Sequence, residues 1–237
     1  MSGTAKPTRS EWRVSVGGET TSAIVESSPS ALDAETSASA LDGVVFVCAH
    51  GAGGNMADRG MAQTAAALVS RGLTVVRFNF LYKEKKSGRP DPMPKLEETV
   101  AAVVAHTRAA LEPKVLIIGG RSMGGRAASM LAATGFACDG LLLLAYPLHP
   151  AGKPEQLRDA HLPSIRVPVL CFSGTRDALC TRALMERALE RVNTTWDMRW
   201  IEGADHSFHV LKSSGRTDAH VLDEIADTSL RWVARLG

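Results

Sequence analysis

Ile117-Ile-Gly-Gly-Arg-Ser-Met-Gly-Gly-Arg126 decides how the chain is read. An apolar run, Val115–Ile118, stops at two glycines. Ser122 and then two more glycines follow, and small residues dominate from Ala127 to Ala133. Gly120-Arg-Ser122-Met-Gly124 has the Gly-x-Ser-x-Gly pattern of a serine held on a sharp strand-to-helix turn. The need for glycine is steric. Strand and helix come so close that a Cβ at the flanking positions would clash, and the serine itself takes a strained backbone conformation. Glycine and serine are common in loops, so the bare pattern is weak. Here it has its required context, a strand-like run before and a helix-like run after.

The chain on either side alternates in the same way. Upstream, Gly43–His50 is a continuous apolar run, as expected of a strand buried on both faces. The glycine loop His50-Gly-Ala-Gly-Gly-Asn55 follows. Met56–Arg71 then carries Met61, Ala65, Leu68 and Val69 at helical spacing, with Gly72 as C-cap, before a strand over Leu73–Phe80. This is a βαβ unit, which implies parallel pairing. Leu81–Pro94 reads as a long loop and Lys95–Leu111 as a helix, with Leu96, Val100, Val103 and Val104 on one stripe. Lys114–Ile118 is the strand entering the serine turn and Met123–Thr134 the helix leaving it. Further strands are expected at Gly140–Tyr146, Val167–Ser173 and Trp196–Ile201, and helices at Thr181–Val192 and Thr217–Leu236. Residues 1–10 read as a disordered tail. Trp12–Val16 and Ala23–Glu26 read as edge strands turning at Gly17-Gly18, and Ser27–Asp42 as a surface loop. The pattern predicts an α/β fold in a single domain over residues 11–237. Its open, mostly parallel sheet has roughly six to eight strands with helices on both faces.

Composition narrows the function classes. A chain of 237 residues, 45% apolar, has enough material for one full core. Its 27 basic and 25 acidic residues leave a net charge of +2, so global charge argues for neither nucleic acid nor a membrane surface as partner. Cys48, Cys138, Cys171 and Cys180 show no Cys-x-x-Cys spacing. They read as buried free thiols in a reducing compartment, and not as a zinc site. The N-terminus lacks the apolar segment of a secretory signal, and the longest apolar run, Leu141–Tyr146, is too short to span a bilayer. The expectation is a soluble, cytoplasmic protein without metal or cofactor.

A serine nucleophile needs a base, and the base needs an orienting carboxylate. For a serine on this kind of turn the chain order is serine, acid, histidine. The later members belong in loops at the C-terminal ends of later strands. Asp177 meets that requirement in Ser173-Gly-Thr-Arg-Asp177. Asp205 is its rival, but it adjoins the histidine and is poorly placed to reach back to Nδ1. His206 is the base candidate in Gly203-Ala-Asp-His-Ser-Phe208, with His209 as the alternative. An oxyanion hole needs two backbone N–H groups. The expected donors are Met123, next to the serine at a helix N-terminus, and Ala52 in the glycine loop. That loop lacks the Gly-x-Gly-x-x-Gly spacing and has no following Gly-Lys-Ser/Thr, so it does not read as a nucleotide site. His50 is expected to fix the loop structurally.

Together, His50-Gly-Ala-Gly-Gly54, Gly-Arg-Ser122-Met-Gly, the Asp177 turn and Asp205-His206 resemble the α/β-hydrolase superfamily over Gly43–Leu236. More narrowly, the chain resembles the small capless branch near the dienelactone hydrolases. Within it, the chain resembles the hydrolase-like domain shared by testis-expressed protein thirty and the third subunit of the non-specific-lethal complex. The stretches carrying this resemblance are Arg77-Phe-Asn-Phe-Leu-Tyr82, Gly119–Arg126, Tyr146-Pro-Leu-His-Pro150 and Gly203–Phe208. The resemblance implies the α/β-hydrolase fold and a Ser122, Asp177, His206 triad, and it admits a protein partner, since some relatives are complex subunits. Dienelactone hydrolases use a cysteine nucleophile where this chain has Ser122, so their substrate does not transfer.

Only residues 147–166 separate two consecutive strands, too few for a large cap domain. Arg121, Asn79 and Tyr82 are candidate substrate contacts, and Lys83, Lys85, Lys86 and Arg89 cluster in the neighbouring loop. An anionic substrate would suit these residues. So would a solvated loop with internal ion pairs. The leading functional expectation is hydrolysis of a small ester or thioester through an acyl-enzyme on Ser122. The alternatives are a non-catalytic interaction module, or a peptidase or acyltransferase using the same three residues. The sequence carries no signal for oligomeric state.

Overall fold

The computed structural model describes residues 7–28, 41 and 43–236. It opens with an antiparallel hairpin, β1 (Thr8–Val16) and β2 (Glu19–Ser27), which turns at Gly17 and Gly18, both at positive φ. The tail expected over residues 1–10 is thus corrected at Thr8. Thr8–Ser10 are strand because Val25–Ser27 lie opposite to pair with them. Residues 1–6, and residues 29–40 and 42 of the expected Ser27–Asp42 loop, lie outside the described residues.

Strands and helices then alternate: β3 (Val44–Ala49), α1 (Arg59–Val69), β4 (Thr74–Phe78), α2 (Leu81–Glu84), α3 (Met93–Leu111), β5 (Val115–Arg121), α4 (Met123–Ala133), β6 (Gly140–Leu144), β7 (Val169–Gly174), α5 (Arg182–Leu189), β8 (Trp196–Ile201) and α6 (Asp218–Val233). Among the described residues they form one eight-stranded sheet in the order β1-β2-β4-β3-β5-β6-β7-β8. From β4 to β8 all pairs are parallel, and the hairpin adds two antiparallel strands at one edge.

The period of two along each strand explains the layers. Val45, Val47 and Ala49 of β3 face one core with Leu141 and Leu143 of β6. That core is closed by Leu96, Val100, Val103 and Val104 of α3, Ala127 and Ala128 of α4 and Met185 of α5. Val44, Phe46 and Cys48 face the other core with Leu142 and Leu144. It is closed by Met61, Ala65 and Leu68 of α1 and Val221, Ile225 and Trp232 of α6. Both faces are buried, which is why β3 and β6 read as unbroken apolar runs.

The expected long loop over Leu81–Pro94 is corrected by α2 and by the earlier start of α3. One helical turn has no periodicity to read. It forms because Leu81 and Tyr82 bury against the core and the Tyr82 N–H donates to Asp91 Oδ2 at 2.9 Å. α3 begins at Met93 with Pro94 in its first turn, where a missing N–H costs nothing. Between β6 and β7 the only helical feature among the described residues is the 3₁₀ turn Leu162–Ser164, so no separate cap covers the sheet edge. Among the described residues no helix is long and apolar enough to cross a membrane.

Candidate active site

Ser122 sits between β5 and α4 at φ 49°, ψ −117°, a region costly for a residue with a Cβ. The chain holds it there from both sides. Its N–H donates to the Leu144 carbonyl at 2.9 Å, and its carbonyl accepts from Arg126 N–H at 3.0 Å. The flanking glycines are sterically required. A Cβ on Gly124 would lie 2.5 Å from Ala49 O and 2.6 Å from His50 O, and one on Gly120 would overlap the Ala49 backbone. The turn therefore nests directly against the end of β3.

Ser122 Oγ lies 2.9 Å from His206 Nε2, and His206 Nδ1 lies 2.8 Å from Asp177 Oδ2 and 3.0 Å from Oδ1. Residues distant in sequence meet because β5, β7 and β8 run parallel in one sheet, with only β6 between β5 and β7, and end at the same edge. The Asp177 side chain is fully buried and His206 is 26% exposed, so the imidazole is reachable while its carboxylate partner is shielded. Asp177 is oriented by Leu179 N–H at 2.8 Å to Oδ1 and by Ser173 Oγ at 3.2 Å to Oδ2. Ser173 was not among the expected site residues. Its only signal is its place near the end of β7. Gly174 lets that end approach the histidine loop, since a Cβ there would run into the Ala204 carbonyl.

Asp205 and His209 have other work. Asp205 Oδ1 accepts from Ser207 and His209 N–H and closes the turn that presents His206, while His209 faces Asp218 at 3.0 Å. The remaining histidines are also engaged elsewhere. His149 bonds Thr181 and His161 bonds Ser129. His220 caps α6, and His106 packs on Trp12.

The glycine loop flanks the serine from β3: a Cβ on Gly51 would lie 3.5 Å from Ser122 Cβ. His50 shapes it. With no exposed surface, it donates from Nδ1 to the Gly51 carbonyl at 2.7 Å and accepts at Nε2 from Phe80 N–H at 3.1 Å. These partners select one neutral tautomer, and burial pushes the imidazole down to about 4. Gly51 O also accepts from Gly54 N–H at 3.1 Å, and Tyr82 Oη donates to Ala52 O at 2.7 Å. The Ala52 peptide is thereby braced at its neighbours.

The residues expected to contact substrate all bond within the fold. Tyr82 is buried with its hydroxyl on Ala52, and burial pushes that hydroxyl up to about 12, so it braces the loop. Asn79 is also turned inward. Its Oδ1 accepts from Met56 N–H at 2.9 Å and its Nδ2 donates to Glu84 at 2.9 Å. Arg121 donates from Nη2 to the carbonyl of His206 at 3.2 Å. Burial lowers its guanidinium from the usual value, opposed by the charges of Asp205, Asp177 and Asp58. It ties the serine turn to the histidine loop. In the neighbouring segment Lys85 pairs with Glu19 at 2.5 Å and Lys83 lies 5.2 Å from the Tyr82 ring centre. Among the described residues no cluster of histidine, cysteine and acidic side chains has the geometry to hold a metal ion.

Comparison with solved structures returns the same architecture. A dienelactone hydrolase from Anabaena variabilis is 20% identical with a TM-score of 0.72, over 98% of this chain and 99% of that one. A serine hydrolase homologue from Coxiella burnetii is 18% identical with a TM-score of 0.72, over 92% and 96%. A serine hydrolase without a lid from Xanthomonas campestris is 21% identical with a TM-score of 0.70, over 94% of each chain. At such identities the likeness is one of fold. A family model for the alpha/beta hydrolase domain matches residues 42–234. That span runs through every strand and helix from β3 to α6, and the chain belongs to the alpha/beta hydrolase domain family.

Proposed function

We propose that the protein is a serine hydrolase that cleaves a small ester or thioester through an acyl-enzyme on Ser122. The observation that carries this reading is the unbroken hydrogen-bond chain from Ser122 Oγ through His206 to Asp177, on a strained turn at the open edge of the sheet. His206 Nε2 takes the hydroxyl proton as Oγ attacks the substrate carbonyl, and Asp177 holds the ring and stabilises the imidazolium. The developing oxyanion is received by the N–H groups of Met123 and Ala52. Met123 opens α4, so its N–H has no acceptor within the helix and lies at the positive end of the helix dipole. His206 then returns the proton to the leaving group. Water, activated by the same histidine, releases the acid.

Labelling with a fluorophosphonate, which phosphonylates activated serines, tests this directly. Wild-type protein is expected to be labelled, and Ser122→Ala is expected to be silent with an unchanged melting temperature. A folded wild-type protein that takes no label at Ser122 would overturn the reading. The resemblance to complex subunits would then favour an interaction module.

A further inference from the structure

β8 is an edge of the sheet. β7 pairs with it on one side and, among the described residues, no strand pairs with it on the other. Its parallel ladder fixes which backbone groups are left over. Thr195 O accepts from Val169 N–H at 2.9 Å, and Ile201 O accepts from Thr175 N–H at 3.1 Å. The odd-numbered residues of this stretch therefore bond toward β7. Along a strand the side that receives the N–H and C=O groups alternates, so Trp196, Met198 and Trp200 turn theirs outward.

The two edges of the sheet differ. On β1, Arg9, Glu11 and Arg13 are exposed, and charges along an edge discourage another strand. On β8, Trp196, Met198 and Trp200 form an apolar row on one face, each half-buried against the core that α3, α4 and α5 close. Arg182 of α5 lies over Trp200, 5.6 Å from the ring centre. On the opposite face Asp197 meets Arg199 at 2.7 Å and Arg235 at 3.4 Å.

Trp196-Asp-Met-Arg-Trp200 is nearly palindromic, an order that acquires meaning only on a strand with a free edge. Pair two copies antiparallel about a two-fold axis through Met198. Trp196 then stands opposite Trp200, Asp197 opposite Arg199, and Met198 opposite itself. The residues with outward backbone groups fall opposite one another, so each of those pairs exchanges both hydrogen bonds. Aromatic and opposite-charge pairs are the favourable cross-strand contacts. Other registers fail. An axis between Met198 and Arg199 sets outward backbone groups against inward ones, and an axis through Asp197 or Arg199 sets like charges face to face.

We propose that the protein forms a two-fold homodimer through β8, paired antiparallel about Met198, which joins the two eight-stranded sheets into one. The occupant of the edge is a second copy of this chain, because the apolar row and the charged row each complement themselves in the same register that satisfies the backbone. The interface is independent of the chemistry of Ser122.

Sedimentation equilibrium of the full chain, from low to high micromolar concentration, tests this. The wild type is expected at twice the chain mass. Met198→Pro removes an outward N–H without touching the β7 ladder, and is expected to be monomeric. Arg199→Glu turns both cross-strand ion pairs into like-charge contacts, and is expected to weaken the dimer about tenfold. Combining it with Asp197→Arg restores opposite charges and should return most of the lost affinity. Circular dichroism establishes that each variant is folded, and if Met198→Pro is not, the two charge variants carry the test. A wild type that stays monomeric throughout overturns the second copy as occupant and leaves the edge to an extended segment of another protein. A dimer unchanged in the folded variants overturns the interface. A dimer lost in Met198→Pro but as tight in Arg199→Glu as in the wild type overturns the register.

Discussion

His50 contributes no reacting atom to the proposed chemistry, yet it sets the shape of the loop beside Ser122. It is neutral in the fold, with both ring nitrogens occupied by backbone partners. Its folded value is about 4, below the ordinary histidine value of 6.5. The neutral clamp therefore contributes its full stability above about pH 6.5 and loses it as pH falls through 4, with a total near 3 kcal/mol. Urea unfolding at about pH 7.5 and about pH 5 should show this loss, and His50→Gln should flatten the difference. Identical pH dependence in the two proteins would mean that His50 is not the group responsible. Arg121 shows the converse at the same scale. A residue expected to face substrate spends its guanidinium on the carbonyl of His206, because burial makes an internal acceptor worth more than solvent.

At the scale of elements, the site exists because the end of β3, the end of β5 and the start of α4 are in backbone contact. Gly124 is where that contact is tightest within α4. Alanine is ordinarily the better helix residue by about 1 kcal/mol. Here its Cβ would sit 2.5 Å from Ala49 O and 2.6 Å from Ala49 C, both backbone atoms that cannot swing aside. Overpacking of this kind costs about 3 kcal/mol, so the steric effect wins and Gly124→Ala is expected to destabilise by about 2 kcal/mol net. Denaturant unfolding reads the number. A variant as stable as the parent would show that β3 and α4 can separate, and fluorophosphonate labelling of the same variant would show whether Ser122 tolerates it.

Across the whole molecule, the antiparallel hairpin and the parallel sheet meet at β2 and β4, and one buried ion pair spans the junction. Arg77 is 2% exposed and Glu26 19%, with Nη2 and Oε2 2.6 Å apart. Arg77 Nη1 also donates to Met56 O, so the same guanidinium links the hairpin to the segment leading into α1. Glu26→Gln leaves that cation uncompensated and should cost about 3 kcal/mol. Replacing both partners, Glu26→Leu with Arg77→Met, should cost less than the single change, because no unpaired charge remains. If the single change proves neutral, the pair contributes nothing and the hairpin is held by its ladder alone.

The alternation of strands and helices, the parallel pairing, the serine turn and the positions of Asp177 and His206 could all be read from the amino-acid order. Each depends on local rules: side-chain period, glycine where a Cβ cannot fit, and a loop following a strand. Local reading missed the first residues of β1 and the turn at α2, since both form through partners outside their own segment. Side-chain direction was also decided only by the tertiary structure. Tyr82 and Asn79 turn inward because Ala52, Met56 and Glu84 lie there to receive them. Gly174 lets β7 close on the histidine loop, which brings His206 to Asp177. Sequence spacing determines where a side chain leaves the backbone, but what it meets depends on backbone brought in from elsewhere.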